Sequence, residues 1–116
     1  MKANTYQQLA NRTLIDRPDF EITDEQTMIA WNAIGLAGEA GEVADLVKKQ
    51  IFHQQGIDRN HMKKELGDVL WYVAALCTEF GFSMEEVMQH NIDKLKARFP
   101  DGYSPDRTTF REGEAE

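Results

Sequence analysis

Two pairs of carboxylates at one short spacing stand out in this sequence: Glu39-x-x-Glu42 within GLAGEAGEVADLVKK, and Glu65-x-x-Asp68 within KKELGDVLWYVAAL. Three residues make nearly one helical turn, so on a helix each pair projects both side chains to one side. Like charges held so close repel unless a cation sits between them. The simplest such cation is a hard divalent metal ion with oxygen ligands, which points to chemistry on phosphates rather than to stability alone. Neither pair contains histidine, so the Glu-x-x-His pattern of di-iron bundles is absent.

A cationic counterpart follows later in the chain. In NIDKLKARF, Asn91, Lys94 and Arg98 fall at i, i+3 and i+7 along one helical edge. Lysine and arginine so placed suit phosphate oxygens, arginine through a bidentate fork. Trp31 and Trp71 are candidates for stacking on a nucleobase, and Trp71 lies one turn past Asp68. His53, His61 and His90 share no metal-ligand spacing and read as turn or surface residues.

The elements that must position these groups are helices, because i, i+3, i+4 apolar spacing recurs and strand-type alternation is nearly absent. A first short helix is predicted from Lys2 to about Leu14, ended by Arg17-Pro18-Asp19. Thr23-Asp24-Glu25-Gln26 has the form of a capping box and opens a long helix to about Phe52, with Met28, Trp31, Ile34, Val43, Leu46 and Val47 as core positions. Gly35, Gly38 and Gly41 interrupt that helix, either as a smooth strip for close approach or as a break near Gly35 to Gly38.

Asp58 caps a third predicted helix to about Phe80, whose apolar face is Met62, Leu66, Val69, Leu70, Val73, Leu76, Cys77 and Phe80. Gly81 ends it in a left-handed residue, and Ser83-Met-Glu-Glu86 is a second capping box, opening a fourth helix that closes at Phe99-Pro100. The expected fold is therefore all-α: one four-helix bundle-like domain over residues 1–103, followed by a polar tail at 104–116. If the second and third helices form an antiparallel hairpin, counting from its turn at roughly 1.5 Å per residue puts Glu42 level with Asp68. Glu39 then falls one turn higher and Glu65 one turn lower.

Bulk properties narrow the function class. A chain of 116 residues holds one core. Its formal net charge of −7 disfavours nucleic acid or an anionic membrane surface as the main partner. The lone Cys77 forms no disulfide within the chain, and no stretch has the length of a membrane span or the form of a signal peptide, so a cytoplasmic setting is expected. Many apolar side chains for so small a bundle suggest self-association.

The segments GLAGEAGEVADLVKK, KKELGDVLWYVAAL, GFSMEEV and NIDKLKARFPDGY together resemble the MazG-like nucleoside triphosphate pyrophosphohydrolases of the all-helical NTP pyrophosphatase superfamily. The resemblance implies Mg²⁺-dependent cleavage of a nucleoside triphosphate between the α and β phosphates, with Mn²⁺ as a substitute ion, giving a monophosphate and pyrophosphate. Residue by residue, it makes Glu39, Glu42, Glu65 and Asp68 metal ligands and puts Lys94 and Arg98 on phosphate, with Asn91 near the metal or the sugar. Glu39 or Glu42 would orient the attacking water. It also implies homodimers or homotetramers with sites near subunit contacts.

Many family members carry E-E-x-x-E at the first pair, where this chain has Gly38, which leaves open the general base and the number of metals. The competing expectations are a helical interaction module that has lost the chemistry and a pyrophosphohydrolase of a related phosphoribosyl-nucleotide.

Overall fold

The computed structural model describes residues 1–17, 19–56, 58–103 and 105. Its elements are α1 (Ala3–Ala10), a 3₁₀ turn (Asn11–Thr13), α2 (Asp24–Phe52), α3 (Arg59–Phe80) and α4 (Met84–Arg98). No strand occurs among the described residues, and the fold is all-α, as expected. The expected tail at 104–116 lies, apart from Pro105, outside the described residues, as does Pro18 of the first expected break.

Local chemistry sets the helix ends. Thr23 Oγ1 accepts from the Gln26 backbone N–H at 3.1 Å while Gln26 Oε1 accepts from the Thr23 N–H at 3.0 Å, so the first capping box is closed in both directions. Ser83 and Glu86 repeat the arrangement at the start of α4, at 3.0 and 2.9 Å. Asp58 accepts from the backbone N–H groups of Asn60 and His61, both at 3.1 Å, and so satisfies two of the orphan donors that open α3. Gly81, at φ 73°, closes α3 in the left-handed conformation that glycine adopts without steric cost.

The packed unit is the antiparallel hairpin of α2 and α3. Helix α2 runs unbroken through its glycines, which decides between the two readings of that strip. Only Gly35 is used for close approach: a Cβ there would overlap the Tyr72 ring from α3, whereas at Gly38 and Gly41 it would meet open space. The Sγ of Cys77 on α3 lies 3.6 Å from the Sδ of Met84, the first residue of α4.

Around this hairpin the apolar faces are not closed within one chain. Among the described residues Cys77 is the buried apolar side chain, whereas Met28, Trp31, Ile34, Val47, Leu66, Leu70 and Phe80, all expected in the core, are exposed. Val43, Leu46, Met62, Val69, Val73 and Leu76 are half-buried. The cause is length without depth: two long helices bury only the stripe where they touch, and α1 and α4 do not wrap the remainder. The radius of gyration is 20.2 Å, against about 13 Å for a compact domain of this length. The accessible surface is 10029 Å², against about 6,500 Å² for a compact monomer of 13.3 kDa. No helix among the described residues is long and apolar enough to cross a membrane.

Candidate metal centre

Near the middle of the hairpin, Glu39 of α2 meets Glu65 and Asp68 of α3. One carboxylate oxygen from each lies within 4.8 Å of the other two, a spacing that one cation can span. The register differs from that obtained by counting from the turn: Glu39, not Glu42, stands opposite Asp68, a slide of about one turn. Tyr72 against Gly35 is the same register one turn further along. The connection between the helices spans six residues from His53 to Asp58, enough to let packing rather than symmetric counting fix the stagger.

Glu65 is the anchor of the group. It is 5% exposed, rare for a carboxylate. Its Oε1 accepts from His61 Nε2 at 3.1 Å and from Lys64 Nζ at 3.3 Å. Its Oε2 is buried without a hydrogen-bond donor. An ionised oxygen in that position is costly unless a cation or a proton reaches it.

Lys64 extends further along the helix and donates to Asp68 Oδ2 at 3.1 Å, so its ammonium spans both α3 carboxylates and is itself held above the usual lysine range by Asp68 and then Glu65. A hydrogen bond shared with Glu65, then burial and the charges of Glu65 and Asp68, raises the Glu39 carboxyl above the usual glutamate range. The same shared hydrogen bond, aided by Lys64 and His61 and opposed by burial, lowers Glu65. The two acids therefore behave as a pair with one proton favoured on Glu39.

An orphaned buried oxygen, a carboxyl pushed toward its protonated form and three oxygens within one ion's span together fit a hard divalent cation. Beside the trio opens a hollow of about 330 Å³ lined by Glu39, Asp68, Trp71 and Tyr72. Trp71 and Tyr72 meet edge to face, with centroids 5.1 Å apart, and form an aromatic wall next to the acids.

Of the residues singled out in the sequence, Glu39, Glu65, Asp68 and Trp71 are thus brought together. Glu42 is exposed and outside the trio, on the side of Lys49, whose charge it favours. Trp31, 67% exposed, lines a separate hollow with Ile34 and Gly35. Asn91, Lys94 and Arg98 lie on α4, Asn91 exposed and the other two half-buried, and none of them lines the hollow beside the trio. Arg98 stacks over Phe99 at 5.2 Å.

Three further residues belong here: Lys64 and Tyr72, which the sequence did not single out, and His61, expected as a turn or surface residue, which is exposed but reaches Glu65. The signal was present for His61 and Lys64, since His61–Glu65 and Lys64–Asp68 are both i, i+4 pairs on α3.

Residues 25–103 match the family model described as the MazG nucleotide pyrophosphohydrolase domain. The chain belongs to the MazG nucleotide pyrophosphohydrolase family. The matched span contains the trio, the aromatic wall and all of α4. The chain is also 36% identical over 102 residues to the Gene 37 protein of Mycobacterium phage L5, covering 84% of this chain and 89% of that one. No solved structure matches it significantly. Family membership supports a nucleotide pyrophosphohydrolase-type activity, and the trio lies in the α2–α3 segments that carry the E-x-x-E and E-x-x-D motifs.

Proposed function

We propose that this protein is a divalent-metal-dependent nucleoside triphosphate pyrophosphohydrolase that cleaves between the α and β phosphates, releasing a nucleoside monophosphate and pyrophosphate. The observation that carries the reading is the carboxylate trio of Glu39, Glu65 and Asp68, with Glu65 buried and its Oε2 reached by no lysine, histidine or backbone donor, within a chain of this family. Glu39, Glu65 and Asp68 would hold Mg²⁺, or Mn²⁺ in its place. The ion, when bound, supplies positive charge against the phosphate oxygens and acidifies water.

The protein's own groups do the rest. His61 fixes the orientation of Glu65 through Oε1. Glu39, which lines the hollow beside Asp68, is the carboxylate placed to orient the attacking water. The exposed Trp71 ring, with Tyr72 edge-on beside it, offers an apolar face on which a base can stack while the triphosphate lies toward the acids. Lys94 and Arg98 are the phosphate-binding cations of this scheme, with Asn91 beside them.

The working form in this proposal is a homo-oligomer, a dimer or tetramer. Its support is the surface excess of roughly 3,500 Å² per chain over a compact monomer, more than one partner's share of a typical obligate interface. A second copy laid on the exposed apolar faces of α2 and α3 would cover Trp31, Ile34, Leu66 and Leu70. A cytoplasmic setting suits the single, buried thiol of Cys77.

A panel of canonical and modified NTPs and dNTPs, incubated with and without Mg²⁺ and assayed for pyrophosphate and orthophosphate, tests the activity. Metal-dependent pyrophosphate release supports the proposal; no turnover, together with no rise in thermal stability on adding metal, refutes it. Sedimentation equilibrium tests the assembly, for which a monomer at micromolar concentration is the contrary result.

A further inference from the structure

Three carboxylates gathered at one point need a counter-charge before any metal arrives, and the protein carries one. The Lys64 ammonium lies 3.3 Å from Glu65 Oε1 and 3.1 Å from Asp68 Oδ2, bridging the two α3 members of the trio. It reaches them from outside, with a side chain 67% exposed, whereas the Glu65 side chain it touches is 6% exposed. His61 is the other group on Glu65, at the same oxygen, and from α2 the facing group is Glu39. Lys64 is thus the lysine bridging the two, and its attachment is of the weak, solvent-screened kind that a long side chain gives up at little cost.

We propose that Lys64 is a resident counter-ion that competes with the divalent metal for Glu65 and Asp68 and sets the metal affinity of the substrate-free protein. A dication at the trio repels an ammonium held against two of the same carboxylates, and the charge that Lys64 offsets on Glu65 and Asp68 is charge the metal no longer feels in full. Metal entry therefore displaces the Lys64 head into solvent, where its exposed stem already lies. In this arrangement Lys64 offsets part of the trio's charge until a metal arrives, and the affinity for free Mg²⁺ is lower than three carboxylates alone would give.

This inference rests on the reading of the trio as a metal site. The test is calorimetric titration of the full chain with Mn²⁺ and Mg²⁺ without nucleotide, for wild type, Lys64→Gln, Lys64→Met and the charge-preserving Lys64→Arg, with helical circular dichroism to establish folding. The neutral variants are expected to bind metal about three- to tenfold more tightly than wild type, and Lys64→Arg within about twofold of it. A lysine that only organises the carboxylates would give the reverse, weaker binding in the neutral variants. Weaker or unchanged affinity in the folded neutral variants, with wild type binding metal, overturns the counter-ion role and leaves the metal site standing. No metal binding by any form overturns both.

Discussion

Glu39 on α2 and Glu65 on α3 bring carboxylate oxygens within 4.8 Å of each other across the hairpin, and the pairing raises the proton affinity of the first and lowers that of the second. This contact ties the two halves of the family's acidic signature together at one point. It also makes the metal-free hairpin electrostatically strained there, because Asp68 adds a third carboxylate to the pair.

Glu39→Gln removes that strain and a metal ligand at once. The metal-free variant is expected to be as stable as wild type or more so at neutral pH, and to lose most of the thermal stabilisation that Mg²⁺ gives. The sign of the pH effect follows from the raised proton affinity of Glu39: its contribution to stability is fully present below the unfolded glutamate pKa and is lost as pH rises through the folded one. Glu65, lowered by the same pairing, contributes with the opposite sign, so the test is the difference: from pH 4 to 8 the metal-free wild type should lose stability relative to Glu39→Gln. A steeper decline in the variant contradicts this.

The register of the hairpin separates two glutamates that look equivalent in sequence. Glu65→Gln and Asp68→Asn strike the trio and are expected to lower kcat/KM for the best nucleotide by at least about a hundredfold, the scale of losing charge stabilisation at a reacting phosphate. Glu42→Gln, outside the trio, is expected to cost about tenfold or less. Equal losses at Glu42 and Asp68 in steady-state kinetics would place Glu42 among the ligands.

The glycines of α2 should respond in opposite directions. Gly35→Ala forces the Tyr72 ring aside and is expected to destabilise the fold by about 1–3 kcal/mol. Gly38→Ala meets open space in a helix interior and should stabilise it by about 0.5–1 kcal/mol. Urea denaturation of the two variants gives the comparison, and a stabilising Gly35→Ala would mean that Tyr72 does not pack on the α2 backbone.

The two tryptophans differ in the same way. Trp71 is 63% exposed yet lines the hollow beside the acids, so Trp71→Ala should raise KM by about five- to a hundredfold, the range of a lost base stack. Trp31→Ala, on a different hollow, should act on assembly, seen as a shift in the sedimentation profile with little change in KM at saturating protein. A KM effect confined to Trp31 would put the base on the other side of Gly35.

Much of this was legible in the residues. Thr23, Asp58 and Ser83 announced the starts of α2, α3 and α4, because capping is a local matter of one side chain and the nearest backbone donors. The two acidic pairs announced that carboxylates of α2 and α3 meet, as Glu39, Glu65 and Asp68 do, with Glu42 left outside. The register between them was not legible, since a six-residue connection permits several staggers and the choice is made at a distance, where Tyr72 finds the bare backbone of Gly35. The lack of a closed core was half legible: Trp31, Ile34 and Leu70 are apolar at helical spacing, but spacing alone does not say whether the covering surface belongs to the same chain. Lys64 was overlooked because a lysine beside acids on a helix is ordinarily just a solvated partner.

Pyrophosphate release from a nucleoside triphosphate, followed while Mg²⁺ is titrated into wild type and Glu65→Gln, probes the metal-dependent chemistry at the trio most directly. The expected result is release that is absent without metal, rises with Mg²⁺ to one pyrophosphate per monophosphate formed in wild type, and stays near background in the variant at every Mg²⁺ concentration. Metal-independent release, orthophosphate in place of pyrophosphate, or an undiminished rate in Glu65→Gln would contradict it.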